Sequence, residues 1–506
     1  MDWSPYVGQL EVLGIRQTFW NPPPHVAAAA ANRPTAADII AHDFNVTTIL
    51  SADQLRVYQH VIPLADALLT PNQPDEQFLI QIDGGPGTGK SFLIDSICQR
   101  IEMKASFSNH QGTPVTKVAP TGVAARNIKS STIHEAFNIG IHGYIALDAT
   151  ALGDLQSKLS GVKVIVIDEK SMVDVRLLTW VDQRCREFTS VFDKSFGGLS
   201  VLLVGDFYQL EPFSSNSLFK PQLCDSYLAF DKSFFLSTAH RQGNDIAFQR
   251  ILADIRRANS MSMANWQNLT ARCMSELPEP DIHAFHDAIR LYYTWNQVNR
   301  YNTDELIASS QPVLAIKATG DLQGNSDEAG DLPSILYLTI GCRVMVMSNI
   351  SVRDGVVNGS IGTVKEIRWK QGDTPGVDTP FAILVALDNY TGRTLTAPTA
   401  DGSYVLPIFR TRYSTQRQGV THHRTQFPLK LGWATTVHRS QGLTLDKVVL
   451  DISQRQFASG LLYTALSRVK TLNGLLLEEP VQKATFGGNA TETDRQRLAD
   501  EVRRRQ

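Results

Sequence analysis

Short apolar runs recur through the first half of the chain at the spacing of an α/β sheet. Phe78-Leu79-Ile80-Gln81-Ile82 reads as a buried strand, and Phe92, Leu93, Ile94 and Ile97 recur at helical spacing behind it. Three more runs follow, Pro114–Ala119, Val162–Ile167 and Leu199–Val204, each ending in a polar loop with helical sequence between them. Strands that are apolar on both faces belong to a parallel sheet covered by helices on each side. The pattern therefore predicts an α/β fold, a doubly wound sheet whose ligands bind off the carboxyl ends of the strands.

Upstream the pattern is weaker. Asn21-Pro22-Pro23-Pro24-His25 predicts a stiff extended linker, and Ala27–Ala31 a helix start that Pro34 interrupts. Thr35-Ala36-Ala37-Asp38 predicts a fresh helix start, and residues 1–49 together an extension packed on the main body. Ser51 and Gln54 fit a capping box, with Val57 and Val61 on one helical face behind it.

Downstream, Asp245–Ala258 predicts a helix with Ile246, Ile251, Leu252 and Ile255 apolar. Val313–Ala315, Ile335–Leu338, Arg343–Met347, Gly359–Val364 and Phe381–Leu387 are short strands punctuated by glycine. They predict a small antiparallel barrel over residues 335–425. Trp433–Ser440 reads as helical, Val448–Asp451 as a buried strand, and Leu461, Leu462, Ala465 and Leu466 as a helix. A second α/β domain interrupted by a β insertion is the expectation. The polar tail after Glu479 ends in Arg503-Arg504-Arg505 and reads as a solvated end.

Composition narrows the class. At 506 residues the chain exceeds one compact core, so two to four domains are expected. An apolar fraction of 42% and a charged fraction of 19% are ordinary for a soluble protein. No apolar run reaches the length of a membrane span, and the first thirty residues lack the features of a signal or transit peptide. Cys98, Cys185, Cys224, Cys273 and Cys342 are scattered and odd in number, which predicts a reducing, intracellular setting and argues against a zinc site. The net charge of −2 excludes a protein that coats duplex DNA through bulk charge. Any nucleic acid must be held in a local groove by amides, hydroxyls and stacking rings.

The chemistry is concentrated after the first strand. Gly84-Gly85-Pro86-Gly87-Thr88-Gly89-Lys90-Ser91 fits G-x-x-x-x-G-K-[ST] between a strand and a helix, the context of a phosphate loop. Gly85, Gly87, Thr88 and Gly89 would let backbone N–H groups curl round a polyphosphate, and the helix N-terminus adds partial positive charge there. Lys90 would reach the β- and γ-phosphates of ATP, and the Ser91 hydroxyl would sit on Mg²⁺. Asp168-Glu169 ends the Val162–Ile167 run. Asp168 is expected to hold the metal through water and Glu169 to act as base on the attacking water; the bland alternative is a strand end meeting solvent. Gln209, after Gly205-Asp206-Phe207-Tyr208, can bond both the γ-phosphate and water. Gln54 has two candidate uses that compete for one amide, the helix cap and the adenine edge.

Further stretches complete a set. They are Leu50–Gln54, Ala119-Pro120-Thr121-Gly122-Val123-Ala124-Ala125, Ser131-Thr132-Ile133-His134, Ile167–Met172, Gly205–Leu210 and Arg241-Gln242. Val357-Asn358-Gly359, Thr436-Val437-His438-Arg439-Ser440-Gln441-Gly442 and Tyr463-Thr464-Ala465-Leu466-Ser467-Arg468 follow. In this order, over residues 50–475, the chain resembles the superfamily-one B DNA helicases of the Pif type, related to the RecD group.

The resemblance implies two RecA-like parallel-sheet motor domains with small inserted domains, one an SH3-like β barrel. The first motor domain would span 50–240, with a strand-separating insert near 138–160. The second would span 241–334 and 426–475, around a β insertion at 335–425, with a tail at 476–506. It implies an ATP-dependent DNA helicase moving 5′ to 3′ on single-stranded DNA. ATP and Mg²⁺ would be its cofactors, single-stranded DNA and DNA junctions its partners, with no membrane and a monomeric state. Roles in DNA repair, recombination and telomere maintenance belong to the same resemblance.

By carry-over Arg241 and Arg468 would touch the γ-phosphate, and Gly442 would lie at the nucleotide. Pro120, Thr121, Gly122, Thr132, His134 and Phe137 would contact the single strand from the first domain. Asn358, Thr436, His438 and Ser440 would do so from the second. Two alternatives stand beside this, an RNA-directed motor of the same superfamily and an ATPase that remodels a partner without unwinding.

Four positions depart from the family pattern. Lys170 stands where an apolar residue is usual, and would pair with a metal-binding acid or point to solvent. Glu211 replaces a proline and predicts a less rigid loop. His240 replaces an aromatic ring, and Arg439 a lysine.

Overall fold

The computed structural model describes residue 9 and residues 33–506, except 71–75, 129, 141–142, 213, 215, 221–223, 244, 257–260, 323, 325–328, 352–353, 389, 391, 393–401, 403, 418–419, 452–459 and 480–490. The expected linker at 21–25 and helix start at 27–31 lie outside the described residues. The described chain forms two compact units, one from 33–283 together with 441–506, the other from 284–440 with residue 9.

The first unit opens with α1 (Ala36–Ile49) and α2 (Ala52–Leu68), each carrying the capping box expected from its sequence. β1 (Leu79–Gly84) leads into α3 (Lys90–Phe107). Then come β2 (Val115–Ala119), α4 (Gly122–Asn127), β3 (Ser131–Thr132), α5 (Ala149–Lys158), β4 (Val164–Ile167) and α6 (Val175–Thr189). β5 (Ser200–Gly205), β6 (Lys232–Leu236) and α7 (Ile246–Arg256) follow.

β1 to β6 form one parallel sheet in the order β3-β2-β4-β5-β1-β6. Alternation of side chains builds two cores. Ile80, Ile82, Val166, Leu202 and Val204 face α2 and α3 on one side. Leu79, Ile165, Ile167, Val201 and Leu203 face α6 on the other. Because β4, β5 and β1 are neighbours, the loops leaving their carboxyl ends lie side by side.

The second unit contains β7 (Ile289–Tyr292), α8 (Trp295–Ala308), and the antiparallel pair β8 (Leu314–Lys317) and β9 (Ile335–Leu338). β10 (Arg343–Val346), β11 (Ile361–Arg368), β12 (Ala382–Leu387) and β13 (Val405–Ile408) belong to a five-stranded antiparallel sheet. β14 (Thr411–Arg417) and β15 (Val420–Gln426) form a hairpin, and β16 (Leu429–Leu431) closes that sheet on the edge of β10. Val344, Val364, Ile383, Val385 and Phe427 fill its core. These are the small antiparallel sheets that accompany the parallel α/β core.

One element differs from expectation. Trp433–Ser440, expected helical, is strand β17 (Ala434–Thr436) parallel to β7, followed by a turn. The β-branched Thr435 and Thr436 suit a pleated surface better than a helix.

Returning to the first unit, β18 (Val448–Leu450) and β19 (Leu475–Leu477) pair in parallel, with α9 (Leu461–Leu466) between them in the chain. The last element is α10 (Glu492–Arg505), opened by a Thr491–Asp494 capping box. Arg503 and Arg505 are exposed, as a solvated end requires, but another face of the helix is covered. The side chains of Arg497 and Arg504 are buried because Glu211, Asp83 and three aromatic rings wait for them on the first unit. No described helix is long and apolar enough to cross a membrane.

Candidate nucleotide-binding site

The loop between β1 and α3 needs glycine at two places. Gly87 and Gly89 have φ of 81° and 74°, the left-handed region that side chains resist. A Cβ on Gly87 would lie 2.4 Å from Arg241 Cβ, and one on Gly89 2.4 Å from Gln54 Nε2. The backbone N–H groups of His240 and Arg241 both donate to the Gly87 carbonyl, at 2.7 and 3.1 Å. Gln54 is spent on this scaffold. Its Oε1 accepts from Ser51 N (3.0 Å) in the capping box, and its Nε2 donates to the Thr88 and Gly89 carbonyls (3.0 and 3.4 Å). In this structure the amide serves the cap at one end and the phosphate loop at the other.

Asp53 ties the same corner together by accepting from Ser237 N (2.6 Å) and Thr238 N (3.0 Å). Burial opposes its charge, but these bonds and those from Ser51 and Gln54 hold its carboxyl well below the usual range.

Lys90, Ser91, Asp168, Glu169, Gln209, Arg241, Gly442 and Arg468 line one cavity of about 370 Å³ together with Gly87 and Gly89. Gly85 and Thr88 lie in the loop behind it, joined by a hydrogen bond from Thr88 Oγ1 to the Gly85 carbonyl at 2.9 Å. Lys90 Nζ donates to the Gly84 and Gly85 carbonyls at 2.7 and 3.1 Å. Burial lowers its pKa, opposed by Glu169, Asp206 and Asp168. Asp168 is raised by burial and by the Glu169 carboxylate beside it. Glu169 has a left-handed backbone (φ 53°), and its buried Oε2 has no hydrogen-bond partner.

The two arginines meet from different directions. Arg241 Nη1 donates to the Ser467 carbonyl (3.0 Å). Arg468 Nη2 donates to Gln209 Oε1 (3.3 Å), and its Nε to the Thr464 carbonyl (2.8 Å). Burial, then the like charge of Arg241, pulls Arg468 down to about 10. Converging buried cations of this kind suit a polyanion.

Sequence reasoning missed the groups that hold this site from behind. Asp206, fully buried, accepts from Arg256 Nη2 (2.9 Å) and from the Tyr463 hydroxyl (3.1 Å), linking α7 and α9 to the β5 loop. Nothing in the apolar spacing of α7 marks Arg256 as different from a solvated arginine. Lys170 pairs with neither acid of the Asp168-Glu169 pair, nor does it reach solvent. It is fully buried, donating to Asp83 Oδ2 (2.7 Å) and Gln81 Oε1 (3.0 Å) and standing 4.3 Å from the centre of the Phe207 ring.

Gln81 and Asp83 occupy the β1 positions opposite Ile80 and Ile82, so the strand's own period delivers them to Lys170. Arg504 shares the same Asp83 carboxylate. Asp83→Asn would leave two buried cations short of a counter-charge. It is expected to cost about 3 kcal/mol, seen as a fall in the thermal midpoint. Glu211 also acts otherwise than expected: it anchors its loop through Ser217 Oγ (2.8 Å), Lys220 (3.1 Å) and Arg497 (3.4 Å).

Known proteins resemble this chain in sequence and in fold. The PIF1-like helicase family profile matches residues 49–245, and that of the UvrD-like helicase C-terminal domain residues 431–476. The human ATP-dependent DNA helicase PIF1 is 30% identical over 404 residues, covering 78% of this chain and 57% of that protein. The Pif1 protein of a Psychrobacter species is 28% identical over 444 residues, covering 78% of this chain and 65% of that one. The chain thus spans less than two thirds of these relatives' length. The crystal structure of Pif1 helicase from Candida albicans superposes with a TM-score of 0.67 at 23% identity, over 90% of this chain and 100% of that one. The Bacteroides Pif1 complex with ADP-AlF3 and single-stranded DNA gives 0.65 at 23% identity, over 90% and 98%.

Residues 49–245 thus carry the profile of the PIF1-like helicases. The fold of the chain is that of the solved Pif1 helicases, a parallel-sheet α/β core with small antiparallel inserts.

The residues that the Pif-type resemblance points to for nucleic acid are less uniform. Pro120, Thr121 and Gly122 follow β2 and are half-buried, with Thr121 Oγ1 accepting from Ala124 N (3.3 Å). Thr132 caps the turn that carries His134, accepting from Glu135 N at 3.3 Å. His134 is half-buried, and burial lowers its pKa against the pull of Asp174, so the ring is neutral near pH 7. Phe137 departs from expectation: its ring is fully buried in the core that also holds Ile133 and Val181, and no base can stack on it.

In the second unit, Asn358 N donates to Asn349 Oδ1 (3.1 Å), and burial lowers His438. Thr436 is buried, with Oγ1 accepting from Arg439 N (3.4 Å). Ser440 is fully buried, with its hydroxyl donating to the Val437 carbonyl (2.8 Å). The two hydroxyls shape the turn that presents His438. Arg439 pairs with Asp331 at 2.7 Å over the Trp295 ring.

Proposed function

We propose that this chain is an ATP-driven motor that moves 5′ to 3′ along single-stranded DNA and separates duplex strands. One observation carries the reading: Lys90, Arg241 and Arg468 converge with Asp168 and Glu169 on a single cavity beside two left-handed glycines. The reading is supported by relatives named ATP-dependent DNA helicases and by a structurally similar Bacteroides Pif1 complex with ADP-AlF3 and single-stranded DNA.

The residues present fit a nucleotide and a divalent cation. Asp168 and the partnerless Glu169 Oε2 are buried acids facing each other's charge. Ser91 and Asp168 would hold Mg²⁺, which when bound supplies charge neutralisation between the phosphate oxygens. Lys90 would turn from the loop carbonyls to the β- and γ-phosphates. Glu169 would take a proton from the attacking water, its left-handed backbone aiming the carboxylate into the cavity. Arg241 and Arg468 would stabilise charge developing on the γ-phosphate. Gln209, bonded to Arg468, would report whether that phosphate is present and so couple hydrolysis to movement.

We read residues 50–240 and 241–334 with 426–475 as the two motor domains, and 335–425 as the β insertion that helps clamp the strand. The half-buried neutral rings of His134 and His438 are our candidates for stacking on bases. An intracellular setting fits these substrates.

A strand-displacement assay on tailed duplexes tests the whole reading. Unwinding is expected from a 5′ tail and not from a 3′ tail. Unwinding from a 3′ tail alone would reject the direction, and an ATPase stimulated by RNA well above DNA would reject the substrate.

A further inference from the structure

The C-terminal helix has no part in the reading above, yet one charged face of it packs against the loops of the nucleotide site. The Arg497 and Arg504 side chains are 2% and 3% exposed. Arg497 Nη2 donates to the Gln209 carbonyl at 3.3 Å and to Glu211 Oε1 at 3.4 Å, with its guanidinium over the Phe219 ring. Glu501, one turn on, accepts from the Tyr208 hydroxyl at 2.8 Å. Arg504 grips Asp83, the residue before the phosphate loop. Positions 497, 501 and 504 share one face of α10 by helical period.

The contacts fall on Tyr208 and Gln209, in the loop that reaches the cavity. The Gln209 side chain accepts from Arg468 while its main chain accepts from Arg497. A guanidinium buried this deeply is costly, and a leucine would cover the same apolar surface. What arginine adds there is a donor to the Gln209 carbonyl, beside its ion pairs with Glu211 and Asp494.

We propose that Arg497 is a positioning residue for ATP hydrolysis, holding the Gln209 main chain so that its amide meets Arg468 and the γ-phosphate. The inference rests on the proposed role of Gln209 and extends it to an element outside the family's motif set. Arg504 and Glu501 dock the helix that carries Arg497. The C-terminal helix is thereby a brace for the hydrolytic site in the same chain.

The test is a double-mutant cycle on the full chain, with Arg497→Met and Gln209→Ala measured alone and together. Methionine keeps a stem over Phe219 and removes the donor. Arg497→Met is expected to lower kcat about tenfold with the KM for ATP unchanged, the effect of misplacing one transition-state contact. Arg497→Lys is expected to recover part of that loss. In the Gln209→Ala background Arg497→Met should change kcat less than about twofold. Arg503→Ala, which loses only its pairing with Asp500 and its place over Tyr227, is the control and should leave kcat unchanged.

An unchanged kcat in Arg497→Met overturns the proposal. So does a tenfold fall that persists in the Gln209→Ala background. If Arg497→Met melts below the assay temperature, Arg497→Lys takes its place. Its kcat must then fall at least about twofold, and only when Gln209 is present. A normal kcat in Gln209→Ala alone is a different failure, since it removes the role of Gln209 itself.

Discussion

Lys90→Ala is expected to lower ATP turnover by about a thousandfold while single-strand binding largely survives. The lysine is the only described ammonium lining the cavity, and its donors are now spent on the Gly84 and Gly85 carbonyls of its own loop. Removing it therefore takes no partner from the core, and the fold should hold. What is lost is a fixed charge aimed at the phosphates in a site where water does not screen it, an effect on the order of 10²–10³ or more. Steady-state ATPase and fluorescence anisotropy with a labelled oligonucleotide read the two outcomes separately. Turnover within tenfold of the parent chain would overturn the phosphate-loop assignment.

Glu169→Gln is expected to keep ATP affinity and slow hydrolysis by about 10²–10⁴, the usual yield of a positioned base. The amide is isosteric, the left-handed backbone suits either residue equally, and Oε2 has no hydrogen bond to lose. The variant should therefore bind nucleotide in an almost unaltered cavity and trap the complex before cleavage. Burst measurements would place the lost rate in the chemical step. Unchanged turnover would move the role of base to Asp168 or to another group.

Both expectations use residues that were readable in the chain. Each needed only local chemistry: a glycine pattern between a strand and a helix, and two acids at the end of an apolar run. Period-two and helical spacing were enough for β1, β2, β4, β5, α2 and α3, because burial on both faces leaves no alternative pattern. Spacing misled at Trp433–Ser440, where β-branched threonines and a parallel neighbour outweighed a helical look. Phe137 misled for a related reason. A ring next to a polar motif looks available for stacking, and only packing against Ile133 and Val181 shows that it is core.

The supporting network was invisible in principle. Asp83, Lys170, Arg256, Arg497 and Arg504 are ordinary surface residue types, and no local rule marks a charge that will be buried. Asp83 and Arg504 are 421 positions apart, yet share one carboxylate–guanidinium contact. Gln54 carries the same lesson on a smaller scale, since its cap was legible and its bond to the Thr88 carbonyl was not.

By itself, then, the order of residues determined which strands are buried, where the phosphate loop opens, and which side chains are chemically able to meet a nucleotide. Those properties are set within a few positions of each residue, through backbone period, glycine freedom and side-chain pKa. The tertiary structure alone decided that Lys90, Glu169, Arg241 and Arg468 share one cavity, and that the C-terminal helix is buried behind Gln209. Such meetings depend on strand order and on pairing across hundreds of residues, where the energy of a buried charge is known only once its partner has arrived.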